Sequence, residues 1–393
     1  MPSSSAPQTF DLGVATREGW AVRRRRCAVL LYLLLSAWIV PAPAVAFGTI
    51  DSGGQHREHE RITRAALACT SGESACFEPA TMNYLAGHDR TFGAVGAPDS
   101  DEMINPAAHC DDADHLAGDY PRARDAAVAS LRDCVEYLRA RFRAGLDSAE
   151  GLLGERGEVI SEESTGSPEC NPKEREESRA KCTTIEALGR VLHGAQDFYA
   201  HSNWADQADP ARPIGADNPP GLHRSGPSPM LDLLGATVAT PPADFTTGCY
   251  VLKDQVPGVG ACHLRITHAA LNKDRGLVDP ANGRATEPGT PRGQVGNNFA
   301  DAVAGAIAES RRQWRDFRTG LTTRYGVDRG TRMICVLTHD DPVHDCNDPH
   351  LNRVIVIVLV TGAALTVILA VTRRRRRRPR EDKHDTTGTG PRS

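Results

Sequence analysis

The sequence contains few aromatic residues, and alternation of apolar and polar residues is scarce. Phe, Trp and Tyr make up 5% of the 393 residues, whereas a half-buried β-strand would show an apolar period of two. We find no internal repeat, so a repeat architecture is excluded. The chain also lacks a C-x-x-C motif, which argues against a zinc-thiolate site. These absences favour a helical chain.

Apolar residues recur at helical spacing in four segments, which are residues 56–69, 120–146, 177–204 and 299–325. In the second segment, for example, Ala127, Leu131, Val135 and Leu138 follow one another at steps of three or four. Two long segments, residues 205–242 and 276–295, are dense in Pro, Gly and Asp and are predicted to be loops. Loops of this length often carry lids or binding surfaces. We predict a mainly α, multi-helix domain with long loops.

The N-terminus has the pattern of a signal peptide. Four arginines at 23–26 precede an apolar run at 27–40, and Ala44-Val45-Ala46 forms a small-x-small cleavage motif. The apolar run is too short to span a bilayer comfortably. We predict that residues 1–46 are removed and that Phe47 begins the mature protein. An uncleaved anchor is the alternative.

A second apolar run lies near the C-terminus. Residues 354–372 contain no charge, and at ~1.5 Å per residue they reach ~28 Å as a helix, enough for the hydrocarbon core. Arginines occupy positions 373–378, so the positive-inside rule keeps residues 373–393 in the cytoplasm. We predict a single-pass type I protein of the plasma membrane. Its exported domain is residues 47–335, its juxtamembrane linker residues 336–353 and its transmembrane helix residues 354–372.

The exported part of the chain is acidic. The signal peptide holds five basic and two acidic residues, and the tail from Arg373 holds nine and three. Of the 46 basic and 50 acidic residues in the whole chain, 32 and 45 remain between them, a net charge of −13. Such a surface does not favour electrostatic capture of nucleic acid.

Ten of the 11 cysteines lie in the exported part. An even number in an oxidising compartment indicates disulfides. The cysteines arrive as five couples close in sequence: Cys69 and Cys76, Cys110 and Cys134, Cys170 and Cys182, Cys249 and Cys262, and Cys335 and Cys346. We predict local pairing, although spacing alone does not fix the connectivity.

The run from Leu192 to Trp204 is the most informative stretch. His193, Asp197 and His201 stand at i, i+4 and i+8, so on a helix they drift only ~80° around the axis and can face one point. Two imidazoles and a carboxylate that converge on one point suit zinc. The alternative is a buried helix face with hydrogen-bonded histidines.

Other candidate ligands lie outside this run, in three places: His56 and His59; Asp99, Asp101, His109, Asp111, Asp112 and Asp114; and His263, His268 and Asp274. Closely spaced carboxylates suit calcium, so Asp111, Asp112 and Asp114 are candidates for that ion. The polar segment 339–348 also holds two histidines and several aspartates, but we interpret it as part of the juxtamembrane linker.

In chain order, these segments resemble the zinc-dependent phospholipase C and single-strand nuclease superfamily. The resemblance is closest to its Het-C-like branch, in which a Leu-His-x-x-Gln-Asp-Phe-Tyr-Ala-His-Ser-Asn-Trp run recurs, as at residues 192–204. It covers most of the exported domain, but only this run is specific. The resemblance implies a mostly α-helical fold with up to three zinc ions in a cleft.

The resemblance also implies individual zinc ligands. They are His59, which is followed by Ile62 and Ala66 as in the family, Asp99 with Asp101 as a rival, His109, His193, Asp197, His201, and the α-amine and carbonyl of Phe47. The phospholipases finish with His-x-x-x-Glu, and no such pair follows His201. His263 or His268, together with Asp274, are the candidates to replace it.

The function that follows from the resemblance is hydrolysis of a phosphodiester, most naturally in a phospholipid headgroup at the outer face of the membrane. Zinc would activate a water molecule and polarise a phosphoryl oxygen. Asp99 is the candidate general base. The alternatives are a non-catalytic surface protein with a structural or incomplete metal site, and a nuclease.

Overall fold

The computed structural model describes residues 47–71, 75–89, 91–164, 170, 179–249 and 262–347. The predicted signal peptide, transmembrane helix and cytoplasmic tail lie outside these residues. Within the described ranges, no helix has the length and apolar character needed to cross a membrane.

The described part of the chain is mainly helical, as the sequence predicts. Its helices are α1 Glu58–Leu67, α2 Pro79–Ala86, α3 Pro98–Asp101, α4 Arg124–Ser148, α5 Ser161–Ser164, α6 Ala180–His201, α7 His268–Leu271, α8 Asn298–Tyr325, α9 Val327–Thr338 and α10 Pro342–Asp345. Short 3-10 turns occupy Cys69–Ser71, Ala149–Leu152 and Pro229–Leu231. Strands β1 Leu277–Val278 and β2 Ala285–Thr286 form a small antiparallel hairpin.

All four predicted helices are confirmed, with ends that differ by a few residues. They correspond to α1, α4, α6 and α8. The two loop predictions are confirmed as well, because residues 205–242 and 276–295 contain only the turn Pro229–Leu231 and the hairpin. Helices α2 and α9 were not predicted from the sequence. One begins at Pro79 and the other follows Gly326, which has a positive φ of 80°.

Helix α6 lies at the centre of the fold, where α4 and α8 pack against it. All its residues except Thr183 are buried. Two glycines let the loop before α4 lie directly on the helix, because a Cβ at Gly189 would come within 2.5 Å of Ala94, and one at Gly194 within 2.7 Å of Ala108 O. This close approach brings the candidate ligands of that loop to the face of α6.

The first part of the predicted juxtamembrane linker, residues 336–347, is packed against the helical domain. Helix α9 continues to Thr338, and the Asp340 carboxylate accepts hydrogen bonds from the backbone N–H groups of Ala80 and Thr81 at 2.9 and 2.7 Å. A disulfide joins Cys335 to Cys346. The packed structure therefore extends at least to residue 347, because polar side chains in this segment bind the start of α2.

Five disulfides confirm the predicted local pairing of the cysteines. They join Cys69 to Cys76, Cys110 to Cys134, Cys170 to Cys182, Cys249 to Cys262 and Cys335 to Cys346. Each closes a short loop, and the bridge at Cys110 also fastens the loop before α4 to α4 itself.

Candidate metal centre

Two adjoining groups of buried histidines and aspartates lie along one face of α6. Cluster A consists of His59, Asp99, His109, His193 and Asp197, and cluster B of Asp111, His201, His268 and Asp274. Within three sets of these residues the ligand atoms lie within 4.8 Å of one another: His59, Asp99 and His193; His109, His193 and Asp197; and Asp111, His201 and His268. Both clusters can therefore hold a metal ion.

The carboxylate of Asp197 is the hub of cluster A. Its Oδ1 lies 3.1 Å from His59 Nε2, and its Oδ2 lies 2.9 Å from His109 Nδ1 and 3.0 Å from His193 Nε2. Asp99 approaches from the other side, with Oδ1 3.7 Å from His193 Nε2 and 3.9 Å from His109 Nδ1. Three imidazoles and two carboxylates thus meet in one buried volume.

Each histidine of cluster A has an acceptor behind it. His193 Nδ1 donates to Val95 O at 2.8 Å, and His109 Nε2 donates to Glu102 O at 3.3 Å. His59 Nδ1 donates to Gln196 Oε1 at 2.8 Å. A nitrogen that donates outward leaves the other ring nitrogen as a lone pair that points inward, which is the usual arrangement of metal-binding histidines.

The orientation of the Gln196 amide follows from its other partners. Its Nε2 donates to Thr63 Oγ1 at 3.0 Å and to Ser310 Oγ at 3.1 Å. The Ser310 hydroxyl already donates to Ala306 O, so it accepts from Gln196. The amide oxygen therefore faces His59 and fixes its tautomer.

A hydrogen bond from Thr49 orients the carboxylate of Asp99. The Thr49 hydroxyl donates to Asp99 Oδ2, which leaves Oδ1 to face His109 and His193. At 6% exposure Asp99 is also the most accessible member of either cluster. The carboxylate predicted as a general base is thus the one nearest to solvent.

Cluster B is built around two carboxylates and two imidazoles. Asp111 Oδ2 lies 3.1 Å from His201 Nδ1 and 2.9 Å from His268 Nδ1. Asp274 lies on the opposite edge of both rings, 3.1 Å from His201 Nε2 and 3.2 Å from His268 Nε2. Both Nδ1 atoms therefore face Asp111, and both Nε2 atoms face Asp274.

This geometry changes the expected role of two aspartates. Asp274, predicted as a ligand, lies behind His201 and His268 as a shared hydrogen-bond acceptor, as carboxylates do behind zinc-bound histidines. Asp111 takes the position of a ligand, beside both Nδ1 atoms. The sequence suggested Asp111 only as part of a calcium site.

Buried atoms without hydrogen bonds indicate that positive charge belongs in both clusters. Five such atoms occur among the described members of the two clusters: His59 Nε2, Asp99 Oδ1, Asp197 Oδ1, Asp111 Oδ1 and His201 Nδ1. Of these, His59 Nε2 lies 3.1 Å from Asp197 Oδ1, and His201 Nδ1 lies 3.1 Å from Asp111 Oδ2, so Asp99 Oδ1 and Asp111 Oδ1 are the two without such an ion-pair contact at hydrogen-bond distance. A buried polar atom without a partner is costly, and converging acceptors repel one another. Nitrogen and carboxylate donors of this kind fit a zinc-like ion.

The pKa values in cluster A shift in different directions. Burial lowers the pKa of His59 and His109, but the carboxylate of Asp197 outweighs it, so both values lie above the usual range. For His193 burial prevails and the pKa lies below its usual value. Burial raises the pKa of Asp197, but the surrounding histidines hold it well below its ordinary value.

In cluster B the carboxylates dominate. Burial and the neighbouring His201 lower the pKa of His268, but Asp111 and Asp274 raise it to about 9. Burial also lowers the pKa of His201, and the carboxylates raise it well above its usual value. The Asp274 pKa falls to about 2 against the effect of burial, because both histidines stabilise the carboxylate.

Phe47 lies against cluster A, and the next residue, Gly48, contacts Asp274 of cluster B. It is fully buried, and its ring meets that of His59 edge-on with centroids 5.9 Å apart. The next residue, Gly48, donates its backbone N–H to Asp274 O at 3.2 Å and accepts from His59 N at 3.4 Å. The predicted mature N-terminus therefore lies beside His59 of cluster A.

Two segments supply ligands to both clusters. Helix α6 gives His193 and Asp197 to cluster A and His201 to cluster B. The short run His109-Cys110-Asp111 gives its first residue to A and its last to B. Cys110 has a positive φ of 51° and is bonded to Cys134, so this run turns sharply and is fastened to α4.

Several candidate ligands lie elsewhere. His263 is exposed and belongs to neither cluster, and Asp101 binds Arg190 rather than a histidine. Asp112 and Asp114, suggested for calcium, form ion pairs with the guanidinium groups of Arg122 and Arg265.

His56 Nδ1 lies 3.4 Å from the exposed Asp51, so it also stands outside the clusters. Near the end of the described chain, Cys335, His339 and Cys346 lie close together, but the two sulfurs are joined as a disulfide.

Comparisons of the chain with protein-family models, with curated proteins and with solved structures give no match.

Proposed function

We propose that this protein is an exported, membrane-anchored zinc enzyme that hydrolyses phosphodiester bonds in phospholipid headgroups. The observation that carries the proposal is the convergence of imidazole and carboxylate acceptors in two adjoining clusters, with five of their buried atoms left without hydrogen bonds. The resemblance of residues 192–204 to the phospholipase C and nuclease superfamily, in its Het-C-like branch, supports the same chemistry.

Zinc would be held by His59, Asp99, His109, His193 and Asp197 in cluster A, and by Asp111, His201 and His268 in cluster B. When bound, zinc lowers the pKa of water and polarises phosphoryl oxygens. The α-amine of Phe47 is a further candidate ligand, since the ring of Phe47 contacts that of His59 and the adjoining Gly48 donates to Asp274 O.

Asp99 fits the role of general base in the hydrolysis. The oxygen of water would attack phosphorus, and its proton would pass to Asp99 Oδ1, while the ester P–O bond breaks and the leaving alkoxide takes up a proton. Asp99 Oδ1 forms no hydrogen bond with the described residues, and Thr49 holds the other carboxylate oxygen. The side chain is thereby oriented for this task.

A cleft beside Asp99 supports a lipid substrate. It has a volume of about 850 Å³, and its lining includes Thr49, whose hydroxyl donates to Asp99 of cluster A. Its wall includes the partly exposed apolar side chains of Ile50 and Phe92, and its charged lining consists of Arg57, Asp51 and Asp89. Apolar wall and guanidinium suit an amphiphile with a phosphate group.

A non-catalytic role is the second candidate, and the burial of the clusters favours it. Apart from Asp99, the members of both clusters are at most 3% exposed. Structural metal sites are closed, whereas catalytic sites keep an open position. In this alternative the metal would hold the loop before α4, α6 and the segment after α7 together.

Hydrolysis assays separate these candidates. Full-length protein should release phosphorylated headgroups from phosphatidylcholine vesicles and leave single-stranded DNA intact. Asp99→Asn should lose that activity and weaken zinc binding at cluster A, whereas Asp147→Asn, at an exposed aspartate of α4 that pairs with Arg324, should keep both. Zinc-replete protein without activity on vesicles would favour the structural role, and cleavage of DNA alone would favour a nuclease.

A further inference from the structure

A buried arginine on α6 binds the loop that carries Asp99 and His109. Arg190 is 1% exposed and forks across Asp101, with Nη1 3.0 Å from Oδ1 and Nη2 2.7 Å from Oδ2. It also contacts the carboxylate of Glu102, and Glu186 one turn earlier on α6 accepts from its Nε and Nη2 at 3.1 and 2.9 Å. We call these four residues the Arg190 clasp.

The Arg190 clasp leads directly to cluster A. Glu102 O is the acceptor behind His109, at 3.3 Å from Nε2, so the position of Glu102 sets the orientation of that imidazole. Asp101 lies two residues after Asp99 in the one-turn helix α3. Arg190 itself precedes His193 by three residues on the same face of α6.

A second buried ion-pair group lies just beyond the C-terminal end of α6. Arg292 forks across Asp206, with Nε 2.8 Å from Oδ2 and Nη2 2.9 Å from Oδ1. Lys273 Nζ donates to Asp206 Oδ2 at 3.0 Å. The three side chains are at most 4% exposed, and we call them the Asp206 clasp.

The Asp206 clasp leads to cluster B. Lys273 Nζ donates to Ser202 O at 3.0 Å and to Leu271 O at 2.7 Å. Ser202 follows His201, and Lys273 precedes Asp274. The ammonium group therefore joins the end of α6 to the segment after α7 that carries Asp274.

We propose that the two clasps position the two metal sites independently, the Arg190 clasp for cluster A and the Asp206 clasp for cluster B. This inference rests on the proposed metal binding. Buried ion pairs add little net stability compared with apolar packing, but they impose a specific geometry. Groups that orient metal ligands contribute ~10–100-fold to metal affinity. Arg190 and Arg292 are thus positioning residues.

Paired lysine variants of the full-length protein test the proposal. Lysine keeps the charge but cannot fork across a carboxylate. Titration with Zn²⁺ against a chromophoric chelator, and Co²⁺ absorption spectra, should show that Arg190→Lys weakens one binding step by ~10–100-fold. Arg292→Lys should weaken the other step and alter a different set of Co²⁺ bands.

Arg139→Lys is the matched control. Arg139 is also a buried arginine, 4% exposed, but it binds Glu136 and the backbone carbonyls of Asp232 and Thr237. None of these partners contacts either cluster through an orienting hydrogen bond described above. Arg139→Lys should leave both Zn²⁺ affinities and the Co²⁺ spectrum unchanged, even if it lowers the melting temperature.

A second variant of the Arg190 clasp keeps the test valid if Arg190→Lys does not fold. Asp101→Asn removes one charge from the partly exposed end of the Arg190 clasp and should weaken the same binding step as Arg190→Lys, by a smaller factor. Equal weakening of both steps, or unaltered Zn²⁺ affinities in Asp101→Asn and Arg292→Lys, would overturn the proposal. Wild-type protein that binds no Zn²⁺ would instead overturn the proposed function on which it rests.

Discussion

Clusters A and B use the same types of residue but differ in what stands behind their imidazoles. In cluster A, three neutral oxygens from Val95, Glu102 and Gln196 accept from the three histidines. In cluster B, the single carboxylate of Asp274 accepts from both histidines. Each histidine of cluster A therefore has its own hydrogen-bond acceptor, whereas the two histidines of cluster B share one.

The difference has an electrostatic consequence. A carboxylate behind an imidazole makes the ring more basic than a carbonyl does. Although burial and the nearby His201 oppose the rise, Asp111 and Asp274 together raise the pKa of His268 to about 9, and the pKa of His201 rises as well. In cluster A the directions are mixed, because the pKa of His193 falls on burial while those of His59 and His109 rise. Removing one group behind the ligands should affect cluster B more than cluster A.

Removal of the hub of cluster A should have the largest effect on one site. Asp197→Ala takes away the carboxylate that faces three histidines, so the metal in A should be lost while that in B remains. The reciprocal variant is Asp111→Ala. Metal content per chain measures both, and loss of all metal in each variant would mean that the clusters act as one site.

Removal of a single disulfide should weaken both sites. Replacing Cys110 and Cys134 by Ala frees the run that carries His109 and Asp111, so both Zn²⁺ affinities should fall. The free energy of unfolding should fall by ~3 kcal/mol, as is typical of loops of this length. Replacing Cys69 and Cys76 is the control, and chelator titration should detect no change in affinity there.

Neutralising Asp274 should affect cluster B alone. Asp274→Asn keeps the size of the side chain but removes the charge behind His201 and His268, so the Zn²⁺ affinity of B should fall by ~10–100-fold. The affinity of A should stay constant. An equal loss at A would show that Asp274 acts on both clusters.

The matching change in cluster A should have the smallest effect. Gln196→Met removes the acceptor behind His59 only, and the acceptors behind His109 and His193 are backbone carbonyls that remain. We expect a decrease in Zn²⁺ affinity below the ~10-fold that marks the lower end for such groups. If Gln196→Met lowers the Zn²⁺ affinity of cluster A more than Asp274→Asn lowers that of cluster B, the expected difference between the clusters is wrong.

The sequence could predict the parts of the site that follow helical geometry. His193, Asp197 and His201 face one region because α6 is regular, and the disulfides follow from cysteines close in sequence. The sequence suggested Asp111 only for calcium, because its place beside His201 and His268 depends on Cys110, whose positive φ turns the chain between the clusters. No local pattern indicates such a turn.

Other features depend on contacts that are distant in sequence. Arg190 meets Asp101, and Lys273 meets Asp206, only after the loops fold over α6. Helix α9 and the packed residues to 347 were missed because polar residues there bind α2 rather than water. The resemblance offered His263 or His268 as a ligand, and the structure leaves His263 exposed and places His268 in cluster B.

The central claim is that both clusters hold metal ions, and metal analysis of the purified full-length protein tests it most directly. We predict two or three zinc ions per chain, with fewer in His193→Ala, and a melting temperature that falls when a chelator removes them. Protein that folds normally with no bound metal, and that takes up none when Zn²⁺ is added, would contradict the account.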